Sequence, residues 1–204
     1  MIAWSKLALH RREIAKRWRS VYTLPIVRRG KALAGETIQP GWSVLEVGAG
    51  DASLAKRLPD DATYASMDID PEVDATYHDL DAIDVSFDCV VAIEVIEHLP
   101  VDDVLPWLQR LVTLLKPGGT LLLTTPNIYC PSAFLRDATH RTPIAYDELG
   151  GLVTAAGATV RAMYRIDGDS ALRRFANRFL LFWLYRLMRL DHAQRVAVVA
   201  TKPS

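Results

Sequence analysis

The sequence predicts an α/β protein: a mostly parallel β-sheet with helices packed on both faces. Three observations carry this. Short apolar runs alternate with helix-periodic segments from residue 43 onward. The first of these runs, Ser43-Val44-Leu45-Glu46-Val47, passes directly into a glycine turn, Gly48-Ala49-Gly50. The length, 204 residues, suits one domain around one core.

The elements follow in order. Residues 3–22 predict an amphipathic helix, because Trp4, Leu7, Ala8, Ile14, Ala15, Trp18, Val21 and Tyr22 recur at helical spacing with Lys and Arg opposite. Pro25 stops it. Gln39-Pro40-Gly41 makes a turn ahead of the strand at 43–47, and a helix is expected over 52–58 behind the glycines. Strands are expected at 63–67, more weakly at 75–78, and at 87–93. Residues 104–115 read as a helix stopped by Lys116-Pro117-Gly118-Gly119. A strand over 120–125 halts at Pro126, a helix over 146–156 closes at Gly157, and strands over 159–165 and 195–201 complete the pattern. Residues 171–190 stand apart. They are apolar nearly all round, with Arg173, Arg174, Arg178, Arg186 and Arg189 spaced through them. Burial against the protein's own sheet is the first expectation for this segment. A helix lying on anionic lipid, a substrate lid and a dimer surface are the others.

Half the residues are apolar and 24% are charged, an ordinary water-soluble composition. No apolar run approaches the ~20 residues that span a bilayer, and the first residues do not read as a cleaved leader, so a cytoplasmic protein is expected, with peripheral membrane contact through 171–190 as an option. Cys89 lies inside an apolar run and Cys130 has no paired spacing, which gives neither a zinc framework nor a disulfide framework. The formal net charge is zero but unevenly spread: residues 1–35 carry nine bases and one acid, 36–110 three bases and seventeen acids, 111–204 twelve bases and six acids. Either an anionic partner or docking of the basic arm on the acidic middle would account for this. The organisation expected is a helical arm or lid over 1–36, and a single domain over 37–204 with a helical insert at about 168–190.

Glycines at 48 and 50 let the backbone turn tightly and approach a ligand. Position 53 is Ser, so the three-glycine fingerprint of dinucleotide sites, and with it a nicotinamide-dependent dehydrogenase, is not met. With Glu46 ahead of it, the turn resembles the E-x-G-x-G signature of class I S-adenosylmethionine (SAM)-dependent methyltransferases. Asp68 in Met67-Asp68-Ile69-Asp70, Asp79-Leu80, Phe87-Asp88 and Leu115-Lys116-Pro117-Gly118-Gly119 follow in that family's order. The resemblance covers about residues 40–165. It implies a Rossmann-like, seven-stranded, mostly parallel sheet with the last strand antiparallel. It also implies SAM bound by Glu46, Gly48, Ala49, Gly50, Asp68, Ile69, Asp79, Leu80 and Ile93. Asp68 and Asp70 compete for the ribose hydroxyls, and Asp68 is preferred because it follows its strand directly.

Glu94-Val95-Ile96-Glu97-His98-Leu99 resembles the E-V-L-E-H segment of ubiquinone-biosynthesis O-methyltransferases. It also resembles the E-x-x-E-H segment with which small-RNA 2′-O-methyltransferases hold a divalent metal. Glu94 and Glu97, three apart, would share one face of a helical turn. With His98 and His140 they form a candidate set for magnesium or zinc, and the two histidines are the candidate catalytic residues. Thr124-Thr125-Pro126-Asn127 and Asp137-Ala138-Thr139-His140-Arg141-Thr142-Pro143 are similar to segments of methyltransferases near glycan and lipid-linked sugar pathways. Arg136 and Arg141 are candidates for a phosphate or carboxylate on the acceptor.

The function expected is therefore SAM-dependent O-methylation of a small-molecule, sugar or lipid-linked acceptor. The alternatives are a metal-dependent RNA 2′-O-methyltransferase and a SAM-binding partner protein without catalysis. No RNA-binding module is recognisable, so nucleic acid is not an expected partner. The identity of the acceptor and the oligomeric state are not written in the sequence.

Overall fold

The computed structural model describes residues 4–204. Its strands are β1 (Ile26–Val27), β2 (Ser43–Val47), β3 (Thr63–Met67), β4 (Phe87–Ile93), β5 (Leu115–Pro126), β6 (Thr159–Ile166) and β7 (Arg195–Thr201). They form one sheet in the order β1-β6-β7-β5-β4-β2-β3. All neighbours are parallel except the two pairs made by β7, which runs antiparallel between β5 and β6. This is the Rossmann-like α/β sheet expected, but its seventh strand is not the expected one. Residues 75–78 make only a single bridge, Tyr77 to Met67. The edge is instead extended on the far side by β1, beside β6.

The helices are α1 (Trp4–Arg17), α2 (Gly30–Thr37), α3 (Val101–Thr113), α4 (Pro131–Leu135), α5 (Tyr146–Ala155), α6 (Ala171–Phe175) and α7 (Phe182–Leu187). Ala3, the first residue of the expected N-terminal helix, lies outside the described residues. That helix also ends earlier than expected, at Arg17, and a 3₁₀ turn over Val21–Thr23 follows it. The Ser20 hydroxyl accepts from the Tyr22 N–H and caps this turn, which competes with helix continuation.

Alternation in the strands assigns their side chains to two cores. Leu45, Val47, Val90, Ala92, Leu121 and Leu123 pack with α1, α3 and α5. Val44, Cys89, Val91 and Leu122 pack on the opposite face with Leu33, Ala34 and Ile38 at α2. Two adjacent glycines bring α1 close to α5: a Cβ at Gly150 would stand 2.9 Å from Ile14 Cγ2, and one at Gly151 2.9 Å from Arg11 Cγ. Arg11 pairs there with Asp147 at 3.0 Å. The basic arm thus meets acids of α5, and Lys31 alone among the ion pairs described carries it to the acidic middle, at Asp51.

The segment between β6 and β7 runs as α6, a π-helical turn over Ala176–Leu180, and α7. It is not buried against the sheet. Leu172, Leu180, Trp183 and Leu187 are each more than 70% exposed. Among the described residues, no helix is long and apolar enough to cross a membrane.

Candidate functional site

Strands β2, β3, β4 and β5 run parallel, so the segments leaving their carboxyl ends gather at one edge. The glycine turn leaves β2. Gly48 has φ +69° and Gly50 φ +50°, and Ala52 is left-handed as well at +48°. A Cβ on Gly48 would stand 2.4 Å from Val95 Cγ2, so only glycine lets the turn pass there. The N–H groups of Gly48 and buried Ala49 donate to the Met67 carbonyl at 2.8 and 3.2 Å. The helix expected over 52–58 is only a 3₁₀ turn, Ala55–Arg57. The left-handed Ala52, the Asp51 carboxylate that captures the Ser53 N–H, and Pro59 all oppose a longer one. No α-helix therefore opens directly behind the glycine turn.

Glu46 is buried at the root of the turn, and its Oε2 accepts from the Tyr64 hydroxyl at 2.6 Å. Burial raises its carboxyl above the ordinary value, against the lowering effect of that hydrogen bond and of Lys31. A carboxylate in this position favours a cationic ligand group. Lys31 of α2 also donates to Asp51 and to the Ser53 hydroxyl, which braces the far end of the turn. Asp68, leaving β3, accepts from the Gly50 N–H at 2.9 Å through Oδ2 and from the Asp70 N–H through Oδ1. Asp70 turns away to the Glu72 N–H. Of the two competitors, Asp68 is the one joined to the glycine turn. Ile69 is 82% exposed beside it. Asp79 accepts from the Asp81 N–H. The Arg110 guanidinium donates to the carbonyls of Leu80 and Ile83 and pins this loop, with Leu80 packed on the core. Ile93 closes β4, half-buried in the second core.

Glu97, His98 and His140 come together at the same edge: each offers a ligand atom, and these atoms lie within 4.8 Å of one another. Glu97 and His98 belong to a 3₁₀ turn, Ile96–His98. His140 is carried over them because the Arg141 and Thr142 N–H groups donate to the Glu97 carbonyl, at 2.8 and 3.0 Å. The Glu97 side chain is fully buried; Oε2 accepts from the Thr125 hydroxyl at 3.1 Å, and Oε1 has no hydrogen-bond partner. Burial, reinforced by the Glu94 charge, pushes its carboxyl up to about 8. His140 Nε2 lies 4.0 Å from that Oε1.

The neighbours fix both imidazole tautomers. His140 Nδ1 lies 2.8 Å from the Phe134 carbonyl, which can only accept, so Nδ1 carries the proton. His98 Nδ1 lies 3.0 Å from the Thr139 hydroxyl. That hydroxyl spends its one proton on Asp137 Oδ1 at 2.6 Å, so His98 Nδ1 is a donor too. In the neutral rings, both Nε2 atoms then keep their lone pairs. The rings meet edge to face with centroids 4.9 Å apart. Asp137 and Thr139 are thus positioning residues, and the D-x-T-H spacing was the sequence signal for them. Nothing in the sequence marks Arg110, Lys31 or Phe134 in such roles.

The expected metal set is corrected at Glu94, which lies outside the group. Residues 94–97 do not form the helical turn that would align the two glutamates: Glu94 itself is left-handed, φ +58°. Its carboxylate is occupied instead by the Thr124 hydroxyl at 2.9 Å and by Arg195 Nε at 2.8 Å, and so ties the ends of β4, β5 and β7. Two further motifs have structural roles. Lys116 pairs with Asp88 at 2.7 Å, and a Cβ at Gly119 would collide with the Lys116 carbonyl at 2.9 Å. The Asn127 amide donates to Asp191 and to the Ala193 carbonyl. Arg136 and Arg141 are exposed.

Residues 11–192 match the protein family described as methyltransferase domain. A ubiquinone biosynthesis O-methyltransferase of Xanthomonas campestris pv. campestris is 34% identical over 122 residues, 50% of this chain and 50% of that protein. The chain therefore spans about half the length of the curated relatives it matches. Among solved structures, a SAM-dependent methyltransferase from Archaeoglobus fulgidus superposes with a TM-score of 0.64 at 16% identity, over 96% of this chain and 94% of that one. The N-methyltransferase NodS of Bradyrhizobium japonicum does so with a TM-score of 0.59 at 16% identity, over 85% and 93%. At such identities the two structures speak to the fold alone.

Proposed function

This chain belongs to the methyltransferase-domain family, and we propose that it is a SAM-dependent methyltransferase that methylates a hydroxyl of a small-molecule, sugar or lipid-linked acceptor. One observation carries the choice of a hydroxyl. Two imidazoles have their Nδ1 hydrogens directed at fixed acceptors, which in the neutral rings leaves both Nε2 lone pairs as bases, that of His140 4.0 Å from buried Glu97. A hydroxyl nucleophile needs such a base.

SAM supplies a methyl group already activated on a sulfonium, so the protein's share is alignment and proton removal. Glu46 with Gly48, Ala49 and Gly50 would hold the methionine part, whose charge Glu46 matches. Asp68 accepts one N–H at each oxygen and keeps lone pairs for the ribose hydroxyls. Ile69, Asp79, Leu80 and Ile93 would surround the adenine.

The acceptor-side residues fit a divalent cation. The orphaned, buried Oε1 of Glu97 is the kind of atom that a cation would satisfy. Glu97, His98 and His140 would hold it, and two imidazoles with one carboxylate suit zinc or a similar transition ion better than magnesium. With a cation bound, the imidazole lone pairs would serve as its ligands in place of bases, and the cation would lower the pKa of a coordinated hydroxyl. Glu94, taken up by Thr124 and Arg195, weakens the RNA 2′-O-methylation reading, which rests on a second glutamate in the cluster.

The test is transfer from tritiated SAM to a panel of catechols, phenols and sugars, with the matching amines alongside. Transfer to hydroxyls is expected. In His140→Ala it should fall about 100-fold or more, with S-adenosylhomocysteine affinity unchanged. Transfer confined to the amines, or undiminished in His140→Ala, would refute the assignment.

A further inference from the structure

We infer that the arginine-rich insert between β6 and β7 docks this protein on an anionic membrane surface. Residues 171–190 contain five arginines and no acidic residue. Leu172, Phe175, Leu180, Trp183, Leu184 and Leu187 are all at least half exposed within this short stretch. Elsewhere in the described chain, exposed large apolar residues such as Leu9, Ile69 and Val101 lie far apart in sequence. A concentrated apolar patch ringed by charge marks an interaction surface.

The insert has a packed side as well, so the exposure is not that of a loose segment. Asn177 is buried and accepts from the Tyr185 hydroxyl, and the Tyr185 ring lies 5.9 Å from that of His192. Arg186 stacks over the rings of Tyr22 and Phe182, 5.2 and 5.4 Å from their centroids. With this side anchored, the six apolar residues remain outward. The three helical pieces are five, five and six residues long, too short to span a bilayer but suited to lying in its headgroup layer.

Charge selects the occupant. Arg173 pairs with Asp169 at 3.4 Å, but residues 171–190 themselves hold no acid, so a two-fold contact between copies would set an arginine-bearing stretch against itself. An anionic lipid surface complements it, with exposed Arg189 at the phosphates and the Trp and Leu side chains below it. The location adds to this. The insert begins after Ile166 and ends before Arg195, which are register partners, and Arg195 holds Glu94 at the edge that carries the candidate site. Docking would bring that edge to the lipid. The inference does not depend on which acceptor is methylated.

The test is co-sedimentation of the full chain with vesicles of phosphatidylcholine, and of phosphatidylcholine mixed with phosphatidylglycerol, at low and physiological salt. Binding to the anionic vesicles should be at least about tenfold tighter than to the neutral ones, and weaker at the higher salt. Trp183→Ala with Leu187→Ala should abolish it without changing the melting curve, and Arg189→Gln should reduce the preference for anionic lipid. Three results would overturn the inference: no binding to anionic vesicles at low salt, equal binding by the double variant, or a dimer that the double variant dissociates in the absence of any vesicle binding. The last would assign the face to a second copy of the chain.

Discussion

Gly48 sits where a single added carbon meets both a strained backbone and a neighbour. The φ of +69° disfavours any L-residue, and the new Cβ would lie 2.4 Å from Val95 Cγ2. Gly48→Ala should cost about 1–3 kcal/mol of stability and remove S-adenosylhomocysteine binding; melting curves and calorimetry check the two together. Residues like this were legible in the sequence because their chemistry is local: a glycine pair after an apolar run, and Glu97-His98 with His140 in motifs of recognisable spacing. Glu94 was not. Its side chain is claimed by Thr124 and by Arg195, a hundred residues away, and its left-handed backbone breaks the helical turn that the spacing of three assumes. Arg110 and Lys31 were hidden for the same reason, since each acts on a loop that is distant in sequence.

The strands at 43–47, 63–67, 87–93 and 195–201 were read to the residue, because short, largely apolar runs bounded by turn residues leave few alternatives. The errors fall where tertiary contacts decide. β1 is two residues long and exists by pairing with β6, and residues 52–58 fail as a helix because side chains in the turn capture the backbone. The Lys116-Pro117-Gly118-Gly119 segment, expected as a stop, lies inside β5. Asp88 shows what the segment does. Burial alone would raise its carboxyl, but Lys116 and Ser43 outweigh that and hold it at about 2. A carboxyl depressed in the folded state stabilises the fold above its unfolded value near 3.8 and loses that contribution as pH falls toward about 2. Asp88→Asn should therefore cost about 1 kcal/mol at neutral pH, discounted because Lys116 is half-exposed. Chemical denaturation at several pH values should show the difference vanish near pH 2.

Over the whole molecule, the charge asymmetry of the sequence resolves in part into local pairs. Arg11 finds Asp147, Lys31 finds Asp51, and Arg165 is buried against Asp191 at 2.9 Å. A further basic concentration lies in the insert, for which burial was the first of four expectations and which the fold leaves largely outside. The sheet brings the glycine turn and the Glu97-His98-His140 group to one edge, where the proposed methyl donor and acceptor would meet. The most direct test of that account is isothermal titration of the full chain with S-adenosylhomocysteine and then with zinc ion, in wild type and in Glu97→Ala. The account predicts that both proteins bind S-adenosylhomocysteine and that only the wild type shows the zinc heat. Absence of S-adenosylhomocysteine binding in the wild type, or a zinc heat unchanged in Glu97→Ala, would contradict it.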